Sequence, residues 1–152
     1  MEVESTLLVF NTAQVKDQPG VVQGQTMKPL IGCPERPSER IRVSVGNFEP
    51  GTHEHLHWHA VEGFYYVMSG SAIVRDYSGK EYEVAAGTAI YAPAGIAGAH
   101  EWQVKERLQL LSIRATTSGH RRMQFTVDRD TKRSYIVPAR EPLFSKKQPA
   151  QF

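Results

Sequence analysis

The chain has 152 residues, of which 40% are hydrophobic and 22% charged, enough for one domain with its own hydrophobic core. No run of about 18 apolar residues is present, which argues against a membrane-spanning helix. The acidic N-terminus has only a short apolar run, unlike a signal peptide, and a single cysteine, Cys33, excludes an internal disulfide. These features predict one domain over residues 1–152 and a cytoplasmic location.

The net charge of +2 is unevenly distributed along the chain. Residues 1–113 contain 9 Lys/Arg and 13 Asp/Glu, a balance of −4, whereas residues 114–152 contain 9 and 3, a balance of +6. A basic segment can bind nucleic acid, but no nucleic-acid motif or basic–aromatic pattern accompanies this one. We therefore expect no nucleic-acid or membrane partner, and a C-terminal hairpin whose basic residues face solvent or the acidic body.

The predicted elements are short strands separated by turns. Residues 1–40 are predicted to form an irregular arm with one candidate strand at 5–10, and the alternation of Ile41, Val43 and Val45 predicts a half-buried strand. Further strands are predicted at 64–70, 71–77, 80–86, 87–93 and 107–115, and a hairpin of 123–127 and 133–137 lies in the C-terminal segment 120–152. No amphipathic helix of ten or more residues is evident, so the pattern favours an all-β sandwich or barrel.

Four of the six histidines alternate in the stretch GTHEHLHWHAVEG: His53, His55, His57 and His59. Side chains at every second position of a strand share one face, so all four are expected to point the same way. Cα atoms two residues apart are about 6.5–7 Å from each other, which lets two imidazoles reach one metal ion. The third ligand is expected from His100, after a Gly/Pro turn, and His53 and His55 are expected to orient the ligands. The alternative is a metal-free strand with polar alternation.

Two stretches resemble the motifs of the cupin superfamily. Residues 51–70 resemble the first motif, with Gly, five residues, His-X-His and a later Gly. Residues 87–100 resemble the second, although the histidine arrives two residues late. The matching residues are Gly51, His57, His59, Gly70, Gly87, Pro93, Gly95 and His100. The resemblance implies an all-β cupin double-stranded β-helix (jelly-roll) barrel with its core at about 41–114, a metal ion in its mouth, and a homodimer or higher homo-oligomer.

The chain departs from the cupin pattern where the family has a glutamate ligand. That position is Gly63, and Glu62 lies one residue earlier, where it faces the opposite side of a strand unless a bulge intervenes. A different register would pair His55 and His57 with Glu62 but would misplace both glycines. Glu62 is the candidate general base if it reaches the mouth.

The three-histidine pattern is similar to that of the diketone-cleaving dioxygenases (the acetylacetone dioxygenase group). This resemblance implies His57, His59 and His100 as ligands of one divalent transition metal, with Fe(II) favoured and Zn, Ni or Mn as alternatives. It also implies cleavage of a C–C bond in a small dicarbonyl or related ketone. Tyr65 has the parity of the ligands, and Tyr91 ends a strand near the mouth, so both are candidate substrate-binding residues.

Two rival functions remain open at this level. One is a non-redox metal enzyme: a lyase, decarboxylase, isomerase or polyketide-type cyclase that uses the same three histidines as a Lewis-acid site. The other is a binding or sensor module without catalysis, because the fold hosts many functions. Phe64, Tyr66 and Met68 have outward parity, and an apolar outer face favours a subunit interface.

Overall fold

The structure is a computed structural model that describes residues 1–116, 123–138 and 148–149. Among these residues there is no α-helix, and no helix that is long and apolar enough to cross a membrane. The strands are β1 Gln18–Pro19, β2 Gln25–Ile31, β3 Ile41–Phe48, β4 His53–His59, β5 Gly63–Asp76, β6 Glu81–Ala85, β7 Ala89–Ala92, β8 His100–Ala115, β9 Met123–Val127, β10 Ser134–Pro138 and β11 Gln148–Pro149.

The longest strand, β8, organises the sheet. Along one edge it pairs with β3 and β4, and along the other it pairs with β5 over most of its length. The sheet continues from β3 to β2 and β1, and from β4 to β9, β10 and β11, while β6 and β7 pair with β5. All of these pairings are antiparallel, and the sheet curls into a half-barrel, which confirms the all-β cupin fold.

The concave side of the sheet holds the main core. Alternate residues of β5 and β8 supply it, because successive side chains of a strand point to opposite faces. Its buried members are Phe48, Tyr65, Val67, Ala72, Val74, Val84, Ala92, Trp102, Val104, Leu108 and Leu110. A second cluster lies beside β4 and β9, with the rings of Trp58 and Phe125 stacked at 4.0 Å between centroids. The buried histidines adjoin the main core, since the ring centroid of His100 lies 5.2 Å from that of Tyr65.

Several predicted elements are confirmed, and three differ from the structure. The hairpins β5–β6 and β9–β10 form as expected, although the rest of the C-terminal tail lies outside the described residues. Residues 5–10 are not a strand, and β2 was not expected. The strands predicted at 64–70 and 71–77 are one long strand, β5. Gly70 lies at its bend with φ of 84°, and a Cβ atom there would come within 1.9 Å of the Arg107 carbonyl oxygen.

Candidate metal centre

The three predicted ligands lie together on the concave side. His57 and His59 come from β4, and His100, the first residue of β8, is the register partner of His57. All three are buried, with relative exposures of 1%, 7% and 5%. One nitrogen from each ring lies within 4.8 Å of the other two, which is close enough for a single ion to bridge them.

The two additional residues before His100 lie in a stretch that contains a 3-10 turn, Ile96–Gly98, between the Gly/Pro turn and β8. The carbonyl oxygen of Gly98 then accepts a hydrogen bond from Nδ1 of His100 at 2.9 Å. In the same way, Nδ1 of His57 lies 2.7 Å from the His55 carbonyl oxygen. A carbonyl can only accept, so both rings carry a proton on Nδ1 and present the lone pair of Nε2.

The expectation that all four alternating histidines share a face is wrong. Between Glu54 and His57, strand β4 advances three residues while β8 advances two, from Trp102 to His100. The additional residue is a β-bulge, and a bulge inverts the side-chain alternation beyond it. His53 and His55 therefore lie on the exposed outer face. The alternative register that used His55 as a ligand is excluded for the same reason.

The bulge brings a carboxylate to the centre that the sequence did not predict. Glu54 is 8% exposed, and its Oε1 lies 3.5 Å from Nε2 of His57. The same oxygen accepts a hydrogen bond from Nε2 of Gln124 on β9 at 3.4 Å. No glycine or proline marks a bulge at this point of the sequence, so nothing in the histidine alternation could have indicated that Glu54 points inward.

Burial dominates the electrostatics of the centre. Removal from water lowers the pKa of His57 to about 4 and that of His100 to about 3, with the neighbouring His57 as the second cause for His100. Burial also raises the pKa of the Glu54 carboxyl group, although His100 and Arg114 act in the opposite direction. The metal-free centre therefore favours neutral imidazoles, the form in which histidine binds metal ions.

Arg114, near the end of β8, is a further charged residue at the centre. Its Nη1 lies 3.1 Å from Nδ1 of His59, and its Nη2 donates to the Tyr65 hydroxyl oxygen at 3.1 Å. A guanidinium only donates, so Nδ1 of His59 accepts in this arrangement. Coordination through Nε2 of His59 would require the ring proton to move to Nδ1 and Arg114 to give up this contact. With that rearrangement, the three imidazoles fit a divalent transition metal.

The three remaining candidates lie in different places. Tyr65 is buried as expected, with its ring centroid 5.2 Å from that of His100. Tyr91 is 62% exposed, and its hydroxyl donates to Glu62 at 2.6 Å, so the expectation that it faces the mouth is wrong. Glu62 is exposed as well. Its carboxylate is not part of the buried group of donor atoms.

The lowered pKa values predict acid sensitivity of the metal-free protein. A histidine whose pKa is about 3 in the folded state and 6.5 otherwise stabilises the fold above pH 6.5, and this contribution is lost as the pH falls towards 3. The raised pKa of Glu54 has the opposite sign, since the folded state retains its proton more strongly. When the pH falls from 7.5 to 4.5, we expect the free energy of unfolding to decrease by roughly 2–3 kcal/mol less in His100→Gln than in wild type.

Urea unfolding of chelator-treated protein at the two pH values measures this difference. Parallel losses in both proteins would show that His100 does not titrate in this way.

The comparisons agree with this fold. Residues 44–114 match the family model of the cupin domain, so this stretch of the chain is a cupin domain. None of the curated proteins matches the chain in sequence.

Three solved structures illustrate the range of similar proteins. The polyketide cyclase RemF from Streptomyces resistomycificus has 21% identity and a TM-score of 0.63, over 72% of this chain and 80% of its own. A sugar phosphate isomerase of the cupin superfamily from Silicibacter pomeroyi has 19% identity and a TM-score of 0.66, over 87% and 88%. Oxalate decarboxylase from Bacillus subtilis has 22% identity and a TM-score of 0.62, over 81% of this chain but 33% of its own. At these identities the similarity establishes the fold alone.

Proposed function

We propose that the protein is a metal-dependent enzyme that transfers a proton next to the carbonyl group of a small substrate. His57, His59 and His100 would hold the metal ion, and Glu54 would accept the proton. The observation that carries this proposal is the buried carboxylate of Glu54, 3.5 Å from Nε2 of His57. The three similar proteins are named as a cyclase, an isomerase and a decarboxylase, and none of these names describes an oxidation.

Glu54 has the properties of a general base. Burial raises the pKa of its carboxyl group towards the range in which a carboxylate exchanges protons efficiently at neutral pH. Gln124 holds one carboxylate oxygen in place. In the proposed step, Glu54 forms an O–H bond to the proton on the carbon beside the carbonyl. The C–H electron pair forms a C=C bond to the carbonyl carbon, and the π pair of the C=O bond moves onto the oxygen, which gives an enolate.

The remaining chemistry is charge stabilisation at the carbonyl oxygen. A divalent ion at the three imidazoles would act as a Lewis acid that polarises the carbonyl group. Arg114 contributes a positive charge, and its Nη1 would become available to a substrate oxygen once His59 binds metal through Nε2. The Tyr65 oxygen accepts from Arg114, so its own proton can be donated to the same substrate oxygen. Arg114 and Tyr65 therefore favour a small anionic or enolisable substrate.

Hydrogen exchange tests the proposal directly. The protein is loaded in turn with Zn²⁺, Ni²⁺, Mn²⁺ and Fe²⁺ and incubated in D₂O, without oxygen, with a panel of small 1,3-dicarbonyl compounds, hydroxy ketones and keto acids. We expect NMR to detect deuterium incorporation beside the carbonyl of at least one compound, faster than with the metal ion alone. Absence of enzyme-dependent exchange across the panel would refute the proposal.

A dioxygenase that cleaves small dicarbonyl compounds is the second candidate. It is favoured by one observation: all three members of the donor group are imidazoles, and Glu62, the carboxylate nearest to the family position, points outward. This set adds no negative charge to a bound Fe²⁺ ion. Oxygen uptake that depends on Fe²⁺ and on a compound of the panel would favour this candidate, whereas exchange without oxygen uptake would favour the first.

We further propose a homodimer through the outer face of β5. Cross-strand neighbours form an apolar row of Tyr91, Phe64 and Ile113, next to a second row that contains Tyr66 and Leu111. Phe64, Tyr66 and Met68 are 37%, 40% and 45% exposed, as their outward parity predicted. Contiguous apolar surface of this kind is typical of protein interfaces.

The oligomeric state of a surface variant tests the dimer. We expect wild type to sediment as a dimer and the double variant Tyr66→Glu/Met68→Glu as a folded monomer, because two buried charges would face each other across the interface. Tyr82→Gln, which replaces an equally exposed tyrosine outside these rows, should remain dimeric. A monomeric wild type, or a dimer in the double variant, would contradict the proposal.

A further inference from the structure

The bulge in β4 creates a second group of metal-binding side chains on the outer face. His53 and His55 precede the bulge and lie on the side opposite to His57. Glu101 follows His100 on β8 and therefore points outward as well. The donor atoms of His53, His55 and Glu101 lie within 4.8 Å of one another. We propose that these three residues form a second, solvent-accessible site for a divalent ion of the Zn²⁺, Ni²⁺ or Cu²⁺ type.

The neighbours of Glu101 orient its carboxylate towards the imidazoles. Its Oε1 accepts from Arg129 at 3.0 Å and lies 3.5 Å from Nη1 of Arg75. Its Oε2 lies 2.6 Å from Nε2 of His53. The two oxygens thus have separate partners, and the arginines fix the one that does not face the histidines. Supporting hydrogen bonds of this kind are a regular feature of metal-binding carboxylates.

To hold an ion, the group must change at one contact. Ligand atoms of a tetrahedral zinc site are roughly 3.3 Å apart, given bonds of about 2.0–2.2 Å. The Nε2–Oε2 pair of His53 and Glu101 would widen from 2.6 Å, and the ring proton of His53 would move from Nε2 to Nδ1. The ring centroids of His53 and His55 are already 4.4 Å apart. Two imidazoles and one carboxylate leave a fourth position for water.

The local charge does not oppose a cation. Arg75 and Arg129 are balanced by Glu101 and by Glu81, which also contacts Arg75. The His55 residue links the two centres, because its ring belongs to the outer group while its carbonyl oxygen accepts from His57. An ion at the outer site would therefore stabilise the bulge whose carbonyl group orients the His57 ring.

Zinc stoichiometry of matched variants tests the outer site. The full chain and its variants are dialysed against buffered Zn²⁺ and analysed for zinc per chain, with circular dichroism as a check of folding. We expect the variant His57→Gln/His100→Gln, which removes the inner group, to retain one zinc ion. Adding His53→Gln and His55→Gln should remove that ion. Zinc retained by the fourfold variant, or no zinc in the inner-group variant, would overturn the proposal.

Single carboxylate variants separate ligation from general electrostatics. In the variant His57→Gln/His100→Gln, the additional substitution Glu101→Gln should weaken zinc binding at least about tenfold, because it removes a ligand. Glu81→Gln is the control, since Glu81 contacts Arg75 but does not belong to the group of three donor residues. Equal weakening by both substitutions would show that Glu101 acts only through its charge and would refute its role as a ligand. Because the inner group is absent from this background, the result does not depend on the proposed function.

Discussion

Alanine at His57, His59 or His100 is expected to remove the inner metal ion and to reduce activity to the background rate. Each ring is buried and supplies one of the three nitrogens that lie within 4.8 Å of one another. Residues that only support metal ligands are typically worth 10–100-fold in metal affinity, so the loss of a ligand should weaken binding at least about a hundredfold. Elemental analysis should find one metal ion fewer per chain than in wild type, and the hydrogen-exchange assay should show no enzyme-dependent rate.

The control for these variants is Lys105→Ala, an exposed position on the same strand as His100. It should retain the wild-type metal content and exchange rate. Because an alanine in a buried site leaves a cavity, unfolding curves of the metal-free variants are needed to show that each is folded. Unchanged metal content in all three folded variants would place the metal elsewhere and would refute the inner centre.

The sequence predicted the parts of this site that depend on local alternation and on turns. His57 and His59 are two residues apart on a regular part of β4, so their shared face follows from the period of a strand. The second motif placed His100 after the Gly/Pro turn, and a 3-10 turn, Ile96–Gly98, lies between the two in the structure. Outward parity of Phe64 and Tyr66 was predictable for the same reason as that of the ligands.

The sequence did not predict what depends on pairing between distant strands. The bulge in β4 is a mismatch of register against β8, and the residues around His55 include neither glycine nor proline. That one additional residue moves His53 and His55 out of the site and brings Glu54 into it. Arg114 was overlooked as well, because it reaches His59 only through the antiparallel pairing of β8 with its neighbours. The local alternation and the two motifs therefore indicated the three histidines, while the carboxylate and the guanidinium could be found only from the fold.

Glu54→Gln is expected to lower the rate of hydrogen exchange about 10²–10⁴-fold while the metal content stays at the wild-type level. Glutamine has nearly the same shape, and its oxygen can still accept from Gln124, so the packing around it should survive. It cannot accept a proton from the substrate carbon. Glu62→Gln is the matched control. The Glu62 carboxylate accepts a hydrogen bond from Tyr91 on the outer surface, so this substitution should change the rate little. Loss of exchange in Glu62→Gln together with a normal rate in Glu54→Gln would reverse this assignment and would restore the base that the sequence had indicated.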